Sequence, residues 1–277
     1  MIIDDVRGLA FVHIPKCGGM TVRRQLASID STSGAFFPII EHPVLGRIHA
    51  SHIPLVFLRD NFRADFDKIA RYQSFALVRD PYTRFASAIF QRLMEFGGVP
   101  RIEITREQAR AESRRLIRWL SGRQTYCNIE YIHFSRQSDF IELDGQTIVP
   151  NLYPLEHIGA MASAMHSGFG VTFNPEQRAN TNFASRFPLL SVLHAAKPIY
   201  SRLTTWAFRE RVLLLLKGMN LSQTEALYTE ITSEPDIADF IERYYARDFT
   251  IYRAAKSRLS SGPETRRPWR SGEALAR

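Results

Sequence analysis

Apolar residues crowd the stretch LAFVHI, from Leu9 to Ile14, between Gly8 and Pro15. A short unbroken apolar run closed by turn residues is the pattern of a buried strand. From Thr21 the period changes. Val22, Leu26 and Ile29 are spaced four and three apart, which predicts a helix. The first unit is therefore strand, glycine turn, helix. A second apolar run, SFALV from Ser74 to Val78, stops at Arg79-Asp80-Pro81. Pro81 suits the first turn of a helix, and Asp80 before it can cap free amides. Phe85, Ile89, Leu93 and Phe96 then mark one buried helical face. Two such units predict an α/β fold with a parallel sheet covered by helices.

Further along, Arg106 to Leu120 reads as a charged amphipathic helix. Thr147 to Leu155 is apolar with two prolines, the mark of an edge strand. Glu156 to His166 reads as helical, and the polar, Asn-rich stretch from Asn174 to Phe187 as a loop. Helices are expected over Thr205–Met219 and Thr224–Ile231, and one more from Ser233-Glu234-Pro235 to about Ala255. No linker divides the body, so residues 1–258 are expected to form one domain. Residues 259–277, rich in Ser, Gly, Pro and Arg, are expected to be a basic disordered tail.

Composition narrows the function classes. A chain of 277 residues with 45% hydrophobic and 23% charged residues is ordinary for a globular protein. No apolar run is long enough to cross a bilayer, and the N-terminal stretch lacks the apolar core of a signal peptide, so a cytoplasmic location is expected. Two cysteines, Cys17 and Cys127, make neither a disulfide framework nor a Cys-x-x-Cys zinc pair. Lys and Arg exceed Asp and Glu by 36 − 28 = 8, which favours anionic partners. No basic run interleaved with aromatics stands out, so nucleic acid is not expected.

The candidate chemistry lies in the two turns. In PKCGGMT, from Pro15 to Thr21, a Gly-Gly pair lets the backbone approach a ligand closely. The helix that follows points its free N–H groups into the turn, Lys16 adds charge, and Thr21 adds a hydroxyl; phosphate or sulfate fits such a cradle. A nucleoside-triphosphate loop needs its lysine after the glycines, and here Lys16 precedes them. Taken alone, the stretch is equally a plain turn with a solvated lysine. Arg79 stands at the end of a predicted strand, where parallel sheets bind ligands, and Ser87 follows on the next helix. Together they could hold a second phosphate, or Arg79 could pair with an acid while Ser87 packs.

Read jointly, HIPKCGGMT and VRDPYTRFASA resemble the sulfotransferases that use 3′-phosphoadenosine-5′-phosphosulfate (PAPS). The nearer likeness is to the carbohydrate-type branch (heparan and chondroitin sulfotransferases), as a soluble, bacterial-style member. HFSRQSDFI (His133–Ile141), YPLEHI (Tyr153–Ile158), RANTN (Arg178–Asn182) and RYYARDFTIY (Arg243–Tyr252) fall in the family's order, so the likeness runs from about residue 8 to 255. It implies a P-loop-like three-layer fold. It implies that Lys16, Cys17, Gly18, Gly19, Met20 and Thr21 surround the 5′-phosphosulfate, and that Arg79 and Ser87 hold the 3′-phosphate. Two positions depart from the pattern. Cys17 replaces a Thr or Ser, and Met20 replaces a Thr whose hydroxyl would face the 5′-phosphate.

His42, His49 and His52 lie between the two motifs. Sulfuryl transfer needs a base for the acceptor proton, and His suits that role. The resemblance places His49 as base, with His52 as runner-up and Glu41 as a rival, and Lys16 as the cation at the leaving group. On the acceptor side it suggests His52, Arg136, Gln137 and Glu156. Trp119, Trp206 and the tyrosines near Tyr244 read as core or interface, with stacking on adenine or sugar as the lesser alternative. No metal is expected, because no carboxylate or cysteine spacing completes a zinc motif around the histidines. The expected acceptor is a hydroxyl of a glycan, a glycolipid or a similar molecule, and peripheral membrane contact stays open. The alternatives are a P-loop-type small-molecule kinase and a decayed anion- or glycan-binding protein on the same fold.

Overall fold

The computed structural model describes residues 1–99, 101–123, 125–177 and 226–260. In chain order the elements are β1 (Ile2–Asp4), β2 (Leu9–Val12), α1 (Gly19–Gln25), β3 (Ile39–His42), β4 (Gly46–His49), α2 (Leu55–Asn61), α3 (Arg63–Arg71) and β5 (Gln73–Val78). Then follow α4 (Pro81–Glu95), α5 (Arg106–Leu120), β6 (Glu142–Leu143), β7 (Gln146–Thr147), β8 (Asn151–Pro154), α6 (Ile158–Phe169), α7 (Pro235–Tyr244) and α8 (Ala246–Ser260). The expected helix over 205–219 lies outside the described residues, and so does the expected tail from 261 onward.

The chain divides into two compact units. The first comprises Met1–Pro81, Gln124–Asn180 and Tyr244–Arg277, and the second Tyr82–Arg123 and Thr181–Arg243. The first holds a mostly parallel central sheet in the order β1-β2-β5-β8, with helices packed on it. β2 pairs parallel with β5, Phe11 opposite Phe75, and β5 pairs parallel with β8, Leu77 opposite Tyr153. Among the described strands of this sheet, only β1 runs antiparallel. Leu9, Ala10, Phe11 and Phe75 to Val78 are buried on both faces, which is why these strands read as unbroken apolar runs rather than alternating ones. Burying one such Phe contributes roughly 1.5–3 kcal/mol. β8 lies at the edge of the described sheet, which suits Pro154 within it and Pro150 just before it.

The helix after the first turn is shorter than its apolar period suggests. It ends at Gln25, and Ala27–Ile29 continue as a 3₁₀ turn. A further correction concerns the C-terminal helix, which is two helices, α7 and α8, separated at Tyr245. That side chain is buried, and its hydroxyl donates to the Phe134 carbonyl at 2.7 Å.

In the second unit, α4 buries Phe85, Ile89 and Leu93. Phe96, expected on the same face, lies past the helix end, is exposed, and is capped by the Arg92 guanidinium 5.3 Å above its ring. α5 opens on a reciprocal cap. Gln108 N–H donates to Thr105 Oγ1 at 3.2 Å, and Thr105 N–H to Gln108 Oε1 at 2.9 Å. Arg114 on α5 grips Asp236 on α7 through both carboxylate oxygens, at 2.7 and 3.1 Å. No helix among the described residues is long and apolar enough to cross a membrane.

Candidate functional site

Three parallel strands of the first unit end at one edge of the sheet, and each leads into a segment with polar groups. β2 leads to His13 and the turn Lys16–Thr21, β5 to Arg79, and β8 to Leu155 and Glu156. Strand ends of this kind are where open parallel sheets receive ligands. The two sequence motifs meet there. Arg79 Nη1 donates to the Lys16 carbonyl at 3.2 Å, across 63 residues of chain.

A buried side chain fixes the same junction. Gln137 accepts from the Arg79 amide at 2.9 Å and donates to the Arg79 carbonyl at 2.8 Å. Its Oε1 also receives the Cys17 thiol at 3.2 Å. Gln137 is itself held, because its amide donates to Asp248 Oδ2 at 2.7 Å while the Ser138 amide donates to Oδ1 at 2.9 Å. Gln137 and Asp248 are both fully buried. Cys17 is thus a buried brace of the turn. The thiol of Cys127, also buried, is pushed up by its burial to about 12.

The turn is tight for a physical reason. Lys16 and Gly18 both have positive φ, 65° and 77°, so the chain doubles back before α1 begins. A Cβ at Gly18 would lie 2.4 Å from a Leu155 methyl, and one at Gly19 would lie 2.2 Å from His13 Cδ2. Thr21 is nearly buried, and Met20 is half-buried with its sulfur accepting from Arg23 Nη2 at 3.3 Å.

Beside the turn four imidazoles gather. Ring centroids are 4.4 Å apart for His13 and His52, 4.8 Å for His49 and His52, 5.7 Å for His52 and His133, and 6.5 Å for His49 and His133. His49 ends β4 of the β3–β4 hairpin, paired with Ile39, and its Nδ1 sits 2.7 Å from Ser51 Oγ. His52 Nδ1 donates to the His13 carbonyl at 3.0 Å, which fixes its tautomer and leaves Nε2 as an acceptor. Burial pushes His49 down to about 4, helped by the cation of Arg23; burial also holds His13 and His52 well below their ordinary 6.5. Among the described residues, no group of three or more His, Cys, Asp or Glu is arranged to hold a metal ion.

Glu156 is paired with the Tyr252 hydroxyl and lies 3.8 Å from Lys256 Nζ on α8. Burial and that carboxylate hold the Tyr252 phenol well above its usual range. Arg136 closes on Asp139 at 2.9 Å. Ser87 is half-buried on α4 in the second unit. His42 stands at the end of β3 and accepts from the amides of Val44 and Leu45 within its own hairpin turn, both at 3.2 Å. Glu41 lies 3.7 Å from Arg47 on β4 and is exposed.

Sequence reasoning missed His13, His133, Arg23 and Asp248. His13 was visible in HIPK and His133 in HFSRQSDFI, but each was absorbed into its motif. Arg23 and Asp248 sit on helices and carry no signal of burial in their spacing.

No curated protein and no solved structure gives a significant match. The model of the Sulfotransferase family matches residues 1–253. The match takes in the sheet, both turns and the histidine cluster of the first unit, so the chain belongs to the sulfotransferase family, whose reaction is sulfuryl transfer.

Proposed function

We propose that the chain transfers a sulfuryl group from PAPS to a hydroxyl of a glycan, a glycolipid or a similar acceptor. The observation that carries this reading is the contact of Arg79 with the Lys16 carbonyl, braced by Gln137. It sets two cationic residues from distant motifs at one strand edge. A nucleotide phosphorylated at both its 5′ and 3′ positions needs two such anion sites, and ATP needs only one. The glycine turn fits the group as well, since Gly18 is exposed at positive φ where a larger residue would be strained.

On this reading, Lys16 and the amides from Gly18 to Thr21 hold the phosphosulfate end, and Arg79 holds the 3′-phosphate. The donor supplies an activated sulfuryl group with a good leaving group. The S–O bond to the bisphosphate breaks as one forms to the acceptor oxygen, and the acceptor proton passes to His49 Nε2. For that, His49 Nδ1–H donates to Ser51 Oγ. At neutral pH the ring is uncharged and able to accept, because its pKa lies at about 4. Lys16 neutralises charge developing on the leaving bisphosphate, and fixed amides stabilise the same charge. Gln137 acts as a brace under Arg79 rather than as an acceptor contact, because it is fully buried with both ends of its amide engaged. Glu156 and Arg136 are tied to α8 and Asp139 in the same supporting sense.

Labelled PAPS offered to a panel of glycan and glycolipid acceptors tests the reaction. Thermal shift with adenosine 3′,5′-bisphosphate against ATP and Mg²⁺ tests the donor class. Stabilisation by the bisphosphate and not by ATP is the expected result; the reverse would turn the reading into that of a kinase.

A further inference from the structure

Arg23 lies on α1, one turn beyond Met20, and is only 6 % exposed. Among the described residues no carboxylate pairs with it. Its Nη1 reaches the Phe36 carbonyl at a long 3.5 Å, its Nη2 meets only the Met20 sulfur, and its Cζ lies 4.7 Å above the Phe37 ring. Its Nε is buried without a hydrogen-bond partner. A buried cation with such weak partners is costly unless a counter-charge arrives. The same unit leaves a second buried nitrogen, His13 Nδ1, without a partner, and the His13 ring is the one pressed against Gly19. The Arg23 cation is also near enough to His49 and His13 to disfavour their protonation.

Arg23 therefore lies beside the glycine turn, through Met20, and the turn meets the imidazoles through the His13 ring at Gly19. A group that lies between the donor phosphate and the base is the group in transit. We infer that Arg23 binds the sulfonate oxygens of the donor during transfer, as a cation separate from those that hold the two phosphates. This inference rests on the PAPS reading above. The sulfonate carries a single negative charge spread over three oxygens, and a forked guanidinium whose Nη2 meets only the thioether of the half-buried Met20 matches that geometry. It also supplies, beside the half-buried Met20, a polar contact that a thioether cannot give.

The test compares two probes on the full chain. Calorimetric affinities for PAPS and for adenosine 3′,5′-bisphosphate, which lacks the sulfonate, are measured for the native chain and for Arg23→Met. Loss of a charge-assisted contact should weaken PAPS by about tenfold or more and leave the bisphosphate within about twofold. Equal weakening of both probes, or of neither, overturns the inference while leaving the donor reading intact. If the native chain binds neither probe, it is the donor reading that fails. If Arg23→Met does not fold, Arg23→Lys takes its place. A single-point cation of shorter reach should lose several-fold on PAPS alone, and unchanged affinity for PAPS would count against the sulfonate contact.

Discussion

The strand edge proposed to hold the donor (the donor edge) and the histidine cluster lie side by side in the first unit, yet they are stabilised in opposite ways. At the donor edge, charged and polar groups are satisfied by hydrogen bonds. Gln137 serves Arg79 and Cys17, and Asp248 serves Gln137. At the cluster, titratable rings are buried and kept neutral, with pKa values driven down mainly by burial. On the proposed function, the first arrangement holds positive charge in place for an anion, and the second stays uncharged until it takes the acceptor proton. The His13 ring against Gly19 is one contact between the two.

The comparison breaks most sharply at His49. His49→Ala should lower turnover by about 10²–10⁴-fold, the usual contribution of a general base, while binding of the bisphosphate is kept. Single-turnover transfer and calorimetry on the same preparation check both halves. Near-native turnover would move the base role to His52 or Glu41.

The contact between the regions comes next. Gly19→Ala places a methyl against His13, and the ring has little room to retreat because the tilted His52 ring lies 4.4 Å from it. A loss of about 1–3 kcal/mol is expected from overpacking, read by urea denaturation. Gly159→Ala serves as the control. Gly159, like Gly19, lies in the first turn of a helix without positive φ, but nothing lies near its Cβ position. It should show the backbone effect alone, a gain of up to about 1 kcal/mol. A gain at Gly19 as well would mean that His13 yields easily and that the regions are less coupled than they look.

Gln137→Leu probes the donor edge alone. It leaves the Arg79 amide and carbonyl without their partner, a cost of about 1–3 kcal/mol. KM for PAPS should rise more than kcat falls, since Arg79 would be displaced and His49 would not. A fall in kcat at unchanged KM would place Gln137 in the chemistry instead.

These differences bear on what the sequence could reveal. The strands were readable because β2 and β5 are buried on both faces, and burial of that kind writes an unbroken apolar run. The turn was readable because Gly18 and Gly19 answer a steric demand that few residues meet. The approach of Arg79 to Lys16 followed from two strands running parallel to one edge. What stayed hidden depends on packing across the sheet. Arg23 looks like any surface helix cation until Phe36 and Phe37 close over it. Gln137 was expected on the acceptor side from the resemblance, and Asp248, from α8, shows why it is buried instead. The break at Tyr245 is likewise set by a distant carbonyl, that of Phe134.

The smallest effect expected, and the one that isolates the cluster, is on acid stability. His13, His49 and His52 have folded pKa values below the ordinary 6.5, His49 at about 4. Between those values the unfolded chain binds protons that the folded chain refuses, so stability is fully present above about pH 6.5 and is lost as pH falls toward 4 and below. The paired carboxylates Asp5 and Asp236 are also depressed, but from 3.8, so their contribution is lost only further into acid. Unfolding free energy measured from pH 7 to pH 4.5 thus reports on the histidines before these carboxylates. His52→Asn can still donate to the His13 carbonyl and removes one titrating ring. Its slope over that range should be shallower than that of the native chain, even if the variant is less stable at pH 7. An unchanged slope would mean that His52 is protonated in the folded state, and the contrast between a charged donor edge and a neutral cluster would fail there.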